Sequence, residues 1–379
     1  MKTPFRSTFV GLAVLSLAAQ AQVPDVNSIP SYKKELNVVG KLRIAGSELK
    51  GLVEHLVQGF QKFQPGAKPS TNFMTSSEGA LGMMYAGVSD VAPMGDDAKI
   101  SDQMPFYNAF GYVPTEISIA TGGYDMRGTL FAWAIIVNKD NPLTRLSMDQ
   151  VDGIFGAERT GGWEIGANAD NNLLYTAKHA RGPEKNIRRW GQLGLTGDWA
   201  NKEIQTYGYV APGFATSFQR LVLHWSTKWN PNFKEYVEIK EATNDAAGQA
   251  VASQRMYEAV EKDKYGIAWG ALMHVKGTCV NPDGSKCPGY SGLKVLAISR
   301  TAQGPAIPLT ADNVANRSYP LLRDAYIYVN KPPGRPLDPS VREFLRFILS
   351  REGQQIIAKY GPYSPLPAEY IREQLKKLD

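Results

Sequence analysis

The chain has 379 residues, 42 Lys and Arg against 36 Asp and Glu, and a formal charge of +6. That length exceeds one ordinary core and argues for two domains. After the N-terminus no stretch is apolar for 18 residues, which excludes a helical membrane span there. The mild positive balance suits an anionic ligand or surface without identifying either.

Lys2 and Arg6 precede an apolar run from Phe9 to Ala19, and Ala19-Gln20-Ala21 places small residues where signal peptidase reads. Residues 1–21 therefore read as a cleaved signal peptide, the alternative being an uncleaved membrane anchor, for which the apolar run is short, and the destination as periplasmic or secreted. Residues 22–37, polar with Pro24 and Pro30, read as an N-terminal arm or linker.

From Leu36 short apolar runs alternate with helical stretches. Leu42–Ala45 is a strand ended by Gly46-Ser47. Leu49, Leu52, Val53, Leu56, Val57, Phe60 and Phe63 recur at helical spacing until Pro65-Gly66. Ser70–Met74 is a second strand, and Thr75-Ser76-Ser77 opens a helix through Met84. Val88–Pro93 is a third strand, closed by Gly95-Asp96-Asp97. This β-α-β-α-β order implies a parallel sheet with helices outside.

Gly111–Thr121 and Thr129–Val137 are extended runs on either side of a Gly-rich stretch. A helix follows at Ser147–Phe155, with Ser147 as its cap. Residues 156–200 are rich in Gly, Asn and Trp and show no clear period. Helices are predicted over Thr216–Lys228 and Ala246–Lys262, and strands over Tyr265–Trp269, Leu293–Ile298 and Ala325–Val329. The chain closes with helices over Ser340–Tyr360 and Glu369–Leu378.

Three turns share one design, a small hydroxyl residue at the start of a helix: Gly46-Ser47, Thr75-Ser76-Ser77 and Ala215-Thr216-Ser217. A helix start offers unpaired N–H groups and partial positive charge, which hold an oxyanion. Ser and Thr are also the commonest caps, so each turn alone reads as plain capping. In open α/β sheets, ligands sit at the carboxyl ends of strands, where these turns fall. Asp96 can accept the hydrogen of a protonated oxyanion and repel an unprotonated one; equally, Asp96 and Asp97 can be solvated loop or capping residues.

Cys279 and Cys287 flank Val-Asn-Pro-Asp-Gly-Ser-Lys, a turn signal that brings the thiols together. Export makes a disulfide the expected outcome, serving as a loop staple, since the Cys-x-x-Cys spacing of redox sites is absent. A zinc site would need two more soft ligands than this loop supplies. The histidines at 55, 179, 224 and 274 are isolated. There is no His-Glu-x-x-His, Gly-x-Ser-x-Gly or Walker loop, so the reading is not an enzyme, with no metal and no cofactor. Trp163, Trp190, Trp199, Trp225 and Trp229 could stack on sugars or partners, but packing is the commoner use. No basic face for nucleic acid is evident.

Ile44-Ala45-Gly46-Ser47, Thr75–Gly79, Ser89–Asp96 and Ala215-Thr216-Ser217-Phe218 resemble, in that order, the substrate-binding proteins of phosphate ABC transporters. Tyr265–Ala268, Tyr319-Pro320 and Gly353-Gln354-Gln355 extend the likeness over nearly the whole chain. The resemblance implies a two-lobed α/β periplasmic-binding-protein fold of type II. In it, mixed sheets are flanked by helices, two strands cross between the lobes, and phosphate sits between them. It places ligand contacts at Ser47, Ser76, Ser77, Asp96, Ala215, Thr216 and Ser217. It also implies a monomer that partners a membrane permease. Lobe one is expected over 38–127 and 325–379, and lobe two over 128–324. The family's Arg-x-Asp-x-Ser-Gly-Thr run is replaced by Val210–Thr216, without the arginine, aspartate or serine, and Glu78 stands where the family tends to have glycine. Arg127, Lys178 and Arg181 are candidate replacement cations. The alternatives are the same fold binding another solute, or a surface interaction or adhesion protein.

Overall fold

The computed structural model describes residues 24–47, 49–74, 79–122, 132–166, 170–209, 214–236, 245–278, 286, 288–360 and 363–379. The signal segment, Ser76, Ser77, Arg127, Val210–Gly213, Cys279 and Cys287 lie outside the described residues.

The first half of lobe one runs β1 (Gly40–Ser47), α1 (Lys50–Phe63), β2 (Ala67–Met74), α2 (Ala80–Tyr85), β3 (Val91–Met94), α3 (Ile100–Phe110) and β4 (Thr115–Thr121). The chain then builds lobe two with β5 (Trp133–Asn138), β6 (Arg145–Ser147), α4 (Met148–Phe155), β7 (Gly162–Ile165), β8 (Leu173–Thr176), β9 (Gln205–Gly208) and α5 (Phe214–Leu221). Still in lobe two follow β10 (Lys234–Glu235), α6 (Asp245–Lys262), β11 (Gly266–Ala271), α7 (Leu272–Lys276), β12 (Leu293–Ser299) and α8 (Ala311–Ala315). It returns to lobe one as β13 (Asp324–Val329), α9 (Pro339–Ile348), α10 (Arg351–Tyr360) and α11 (Ala368–Lys376).

Lobe one carries a five-stranded sheet in the order β2-β1-β3-β13-β4, and lobe two a six-stranded sheet in the order β10-β9-β11-β5-β12-β6. β1 pairs in parallel with β2 and β3, as the β-α-β-α-β order predicts. The returning β13 inserts antiparallel between β3 and β4, so the sheet is mixed. All six β13 residues are buried, as a central strand requires.

α1 buries Leu52, Val53, Leu56, Val57 and Phe60, the stripe that its spacing predicts, against a core completed by Phe344, Phe347 and Ile357. In lobe two Trp133, Phe218 and Trp269 form the centre. The Phe218 and Trp269 rings stack at 4.5 Å, and Trp133 meets Trp269 edge-on at 4.8 Å. Trp190 is fully buried in the same core and Trp229 packs against it, so these two are structural.

The N-terminal arm docks on lobe one: Tyr32 packs edge-on against Phe63 and Phe347 and its N–H donates to Glu352 Oε2 at 2.7 Å. α3, which carries an internal Pro105, has no counterpart among the expected elements. Two expected helices differ from the structure. The helix expected to reach Lys228 stops at Leu221, before a turn in which His224 and Trp225 hold φ of 52° and 67°. The single helix expected over 340–360 is two. Between them Ser350 Oγ donates to Phe347 O at 2.6 Å, and Arg351 N–H donates outward to Pro30 O at 3.0 Å. A serine that bonds the backbone of the preceding turn competes with the helix ladder.

Candidate functional site

The parallel strands β1, β2 and β3 end on the same side of their sheet. Ser47 is the last residue of β1, in register with Met74; its side chain lies outside the described residues. Gly46, just before it, runs so close to β3 that a Cβ there would stand 2.2 Å from Pro93 O. Only glycine permits that approach, and it holds the end of β1 beside the turn carrying Asp96.

Asp96 and Asp97 are both buried, at 3% exposure. Asp96 Oδ1 accepts from Arg323 Nη2 at 2.8 Å and from the Asp97 N–H at 2.9 Å. Arg323 lies on the segment returning from lobe two to β13, and its guanidinium stands 4.9 Å from the centre of the Trp133 ring. Trp133 opens β5 of lobe two, and its Nε1 donates to Ser217 Oγ at 2.7 Å. Asp96, Arg323, Trp133 and Ser217 thus form one chain of contacts across the junction of the lobes. Ala215, Thr216 and Ser217 are buried in the first turn of α5. Of the sequence-derived site residues, Asp96 and Ser217 are joined through this chain, Thr216 and Ala215 flank Ser217, and Ser47 is placed by its backbone alone.

Asp97 points into a second cluster. It forms an ion pair with Arg220 from the last turn of α5. Arg220 also grips Glu116 of β4, with Nη1 and Nη2 each 2.8 Å from a carboxylate oxygen. The Tyr328 hydroxyl donates to Glu116 Oε2 at 2.7 Å and accepts the Ala98 N–H at 3.0 Å. Burial pushes the Asp97 carboxyl above its ordinary range against the pull of Arg220. Burial also opposes the charge on Glu116, but Arg220 and the Tyr328 hydroxyl outweigh it and hold that carboxyl below its ordinary value. The same acids outweigh burial at Arg220 and hold its pKa well above the usual value.

Among the described residues, Arg323 and Arg220 are the cations beside the predicted site. Lys178 is exposed and pairs with Glu164 at 2.9 Å. Arg181 is buried beside Asp152, with its Nε 3.5 Å from Oδ2. Neither serves the Asp96 turn. Sequence reading passed over Arg220, Arg323 and Glu116. The one local signal was that Arg220 falls four residues after Thr216, on the same face of α5. Among the described residues no group of three His, Cys, Asp or Glu side chains is placed to hold a metal.

Two α/β lobes, linked by a chain that crosses out after β4 and back before β13, define a two-lobed periplasmic-binding-protein fold with a polar seam. Residues 33–352 match the family model described as the PBP superfamily domain, and the chain belongs to that family. Two relatives from strains of Pseudomonas aeruginosa, each named phosphate-binding protein PstS, are 28% identical over 374 residues, covering 98% of this chain and 96% of theirs. Among solved structures, PstS from Borrelia burgdorferi aligns with a TM-score of 0.48 at 15% identity, covering 86% of this chain and 98% of its own. An ABC-type phosphate transport receptor from Vibrio cholerae aligns with a TM-score of 0.46 at 18% identity, covering 85% of this chain and 99% of its own.

Proposed function

We propose that this chain captures phosphate between its lobes and delivers it to the membrane permease of an ABC transporter. The observation that carries the reading is the likeness, over 98% of the chain, to proteins named for phosphate binding. The buried seam that joins Asp96 to the first turn of α5 agrees with it. Oxyanion oxygens would be held by hydroxyl and N–H donors of Ser47, Ser76, Ser77, Ala215, Thr216 and Ser217. Asp96 would accept the proton that phosphate carries and sulfate lacks near neutral pH. Arg323 keeps the Asp96 carboxylate compensated.

The protein acts as a binding protein and not an enzyme, is exported after cleavage near Ala21, and works in the periplasm as a monomer. Lobe one spans about 38–127 and 325–379, and lobe two about 128–324, as the sheet memberships favour. No helix among the described residues is long and apolar enough to cross a membrane. Native mass spectrometry of the mature chain against phosphate, sulfate, organophosphates and sugars tests the reading. A retained phosphate supports it; retention of a sugar or of no small solute overturns it.

A further inference from the structure

We infer that Arg220 is a positioning residue that draws the two lobes together, a lobe-two guanidinium received by the lobe-one carboxylates Asp97 and Glu116. Both Glu116 oxygens are engaged at 2.8 Å, and the same Nη1 pairs with Asp97. Bidentate arginine–carboxylate pairs fix direction as well as distance, so the contact sets the angle between the lobes. The receptacle is rigid. Glu116 is held by the Tyr328 hydroxyl, and the carbonyl of Glu116 accepts from Lys377 Nζ at 2.9 Å. Tyr326 and Trp225 flank the guanidinium, with ring centres at 5.7 and 5.9 Å.

Trp225 reaches that position from a strained turn. It and His224 both hold the left-handed backbone that non-glycine residues disfavour. The strain is held where it brings an aromatic face onto the bridging cation. Two carboxylates serve one guanidinium, so parting the lobes would leave Asp97 and Glu116 facing each other without it. Asp97 adjoins Asp96, and Arg220 lies one turn beyond Thr216 on α5. Engaging Arg220 therefore carries the start of α5 toward Asp96, and the cleft walls close with it. This coupling holds whichever solute the cleft takes.

The test is small-angle scattering of the full mature chain in buffer free of phosphate and sulfate, for wild type, Arg220→Met and Glu116→Gln. Met keeps the apolar stem of Arg220 and removes its charge. The expected result is a larger radius of gyration for Arg220→Met than for wild type, with Glu116→Gln between them. Equal radii in all three proteins, each folded by circular dichroism, would overturn the inference. If Arg220→Met does not fold, the comparison of wild type with Glu116→Gln decides the question. A failure to bind phosphate bears only on the proposed function, since every reading is taken without ligand.

Discussion

Arg323 and Asp96 form a buried ion pair in which Nη2 stands 2.8 Å from Oδ1 and neither side chain is more than 4% exposed. Removing one member of such a pair leaves an uncompensated charge in a low-dielectric setting. Arg323→Met should therefore destabilise the protein by about 3–5 kcal/mol, read from urea unfolding monitored by tryptophan fluorescence. An unchanged midpoint would show that the pair contributes little to the seam.

Gly46 should tolerate no side chain. Its Cβ would meet Pro93 O at 2.2 Å and Pro93 Cδ at 2.9 Å, and neither position can swing aside. Gly46→Ala must part β1 from β3 and shift Ser47 relative to Asp96. We expect a loss of roughly 1–3 kcal/mol, the usual cost of overpacking, together with weaker oxyanion binding. Wild-type stability and affinity in this variant would contradict the placement of the two strand ends.

Thr216 sits buried in the first turn of α5. A hydrogen bond from an uncharged donor to a charged ligand contributes roughly 1.5–3 kcal/mol. Thr216→Ala should weaken phosphate binding at least about tenfold, since about 1.4 kcal/mol is a decade in affinity. Titration calorimetry checks this, and an unaltered affinity would remove Thr216 from the site.

Glu116 gives a pH signature. Its folded-state carboxyl is held below the ordinary value, which is about 4.3. Its contribution to stability is therefore fully present above that value and is lost as pH falls through the lower folded one. Asp97, raised by burial, works in the opposite sense. The informative quantity is thus the stability difference between wild type and Glu116→Gln, which should shrink as pH drops through the carboxylate range. A difference constant with pH would mean that Glu116 is not charged in the folded protein.

Cys279 and Cys287 should be joined in the exported protein. Closing so short a loop constrains the unfolded chain by on the order of 2–3 kcal/mol. Thiol counting on the denatured, unreduced protein should find none free, and two free thiols would refute the pairing.

Much of the fold was legible because it is written locally. The stripe of α1, the Ser147 cap accepting the Gln150 N–H at 3.2 Å, and the apolar runs of β5, β11 and β13 declare themselves within a few residues. Ends governed by a single competing bond were not legible, as at Ser350, nor was a helix carrying an internal Pro105. The site divided in the same way. Asp96 follows from a strand end and Thr216-Ser217 from the first turn of a helix, whereas the charged pairs beside them are remote in sequence. Arg220 lies 104 residues from Glu116, and Arg323 lies 227 from Asp96. No periodicity connects such pairs: the return of β13 into the first sheet brings Arg323 to Asp96, and Arg220 of α5 meets Glu116 of β4 across the seam.

The most direct test of phosphate capture is calorimetry of phosphate and sulfate side by side on the wild type and on Asp96→Asn. An asparagine keeps an oxygen to accept from Arg323 but leaves that buried charge uncompensated, so affinities are read on Asp96→Asn shown to be folded by circular dichroism. The unprotonated sulfate would meet an acceptor-only carboxylate in the wild type, a like-charge contact costing several kcal/mol. The account predicts clear preference for phosphate in the wild type and a narrowed preference in Asp96→Asn. Equal affinity for the two anions in the wild type, or binding of neither, would contradict it.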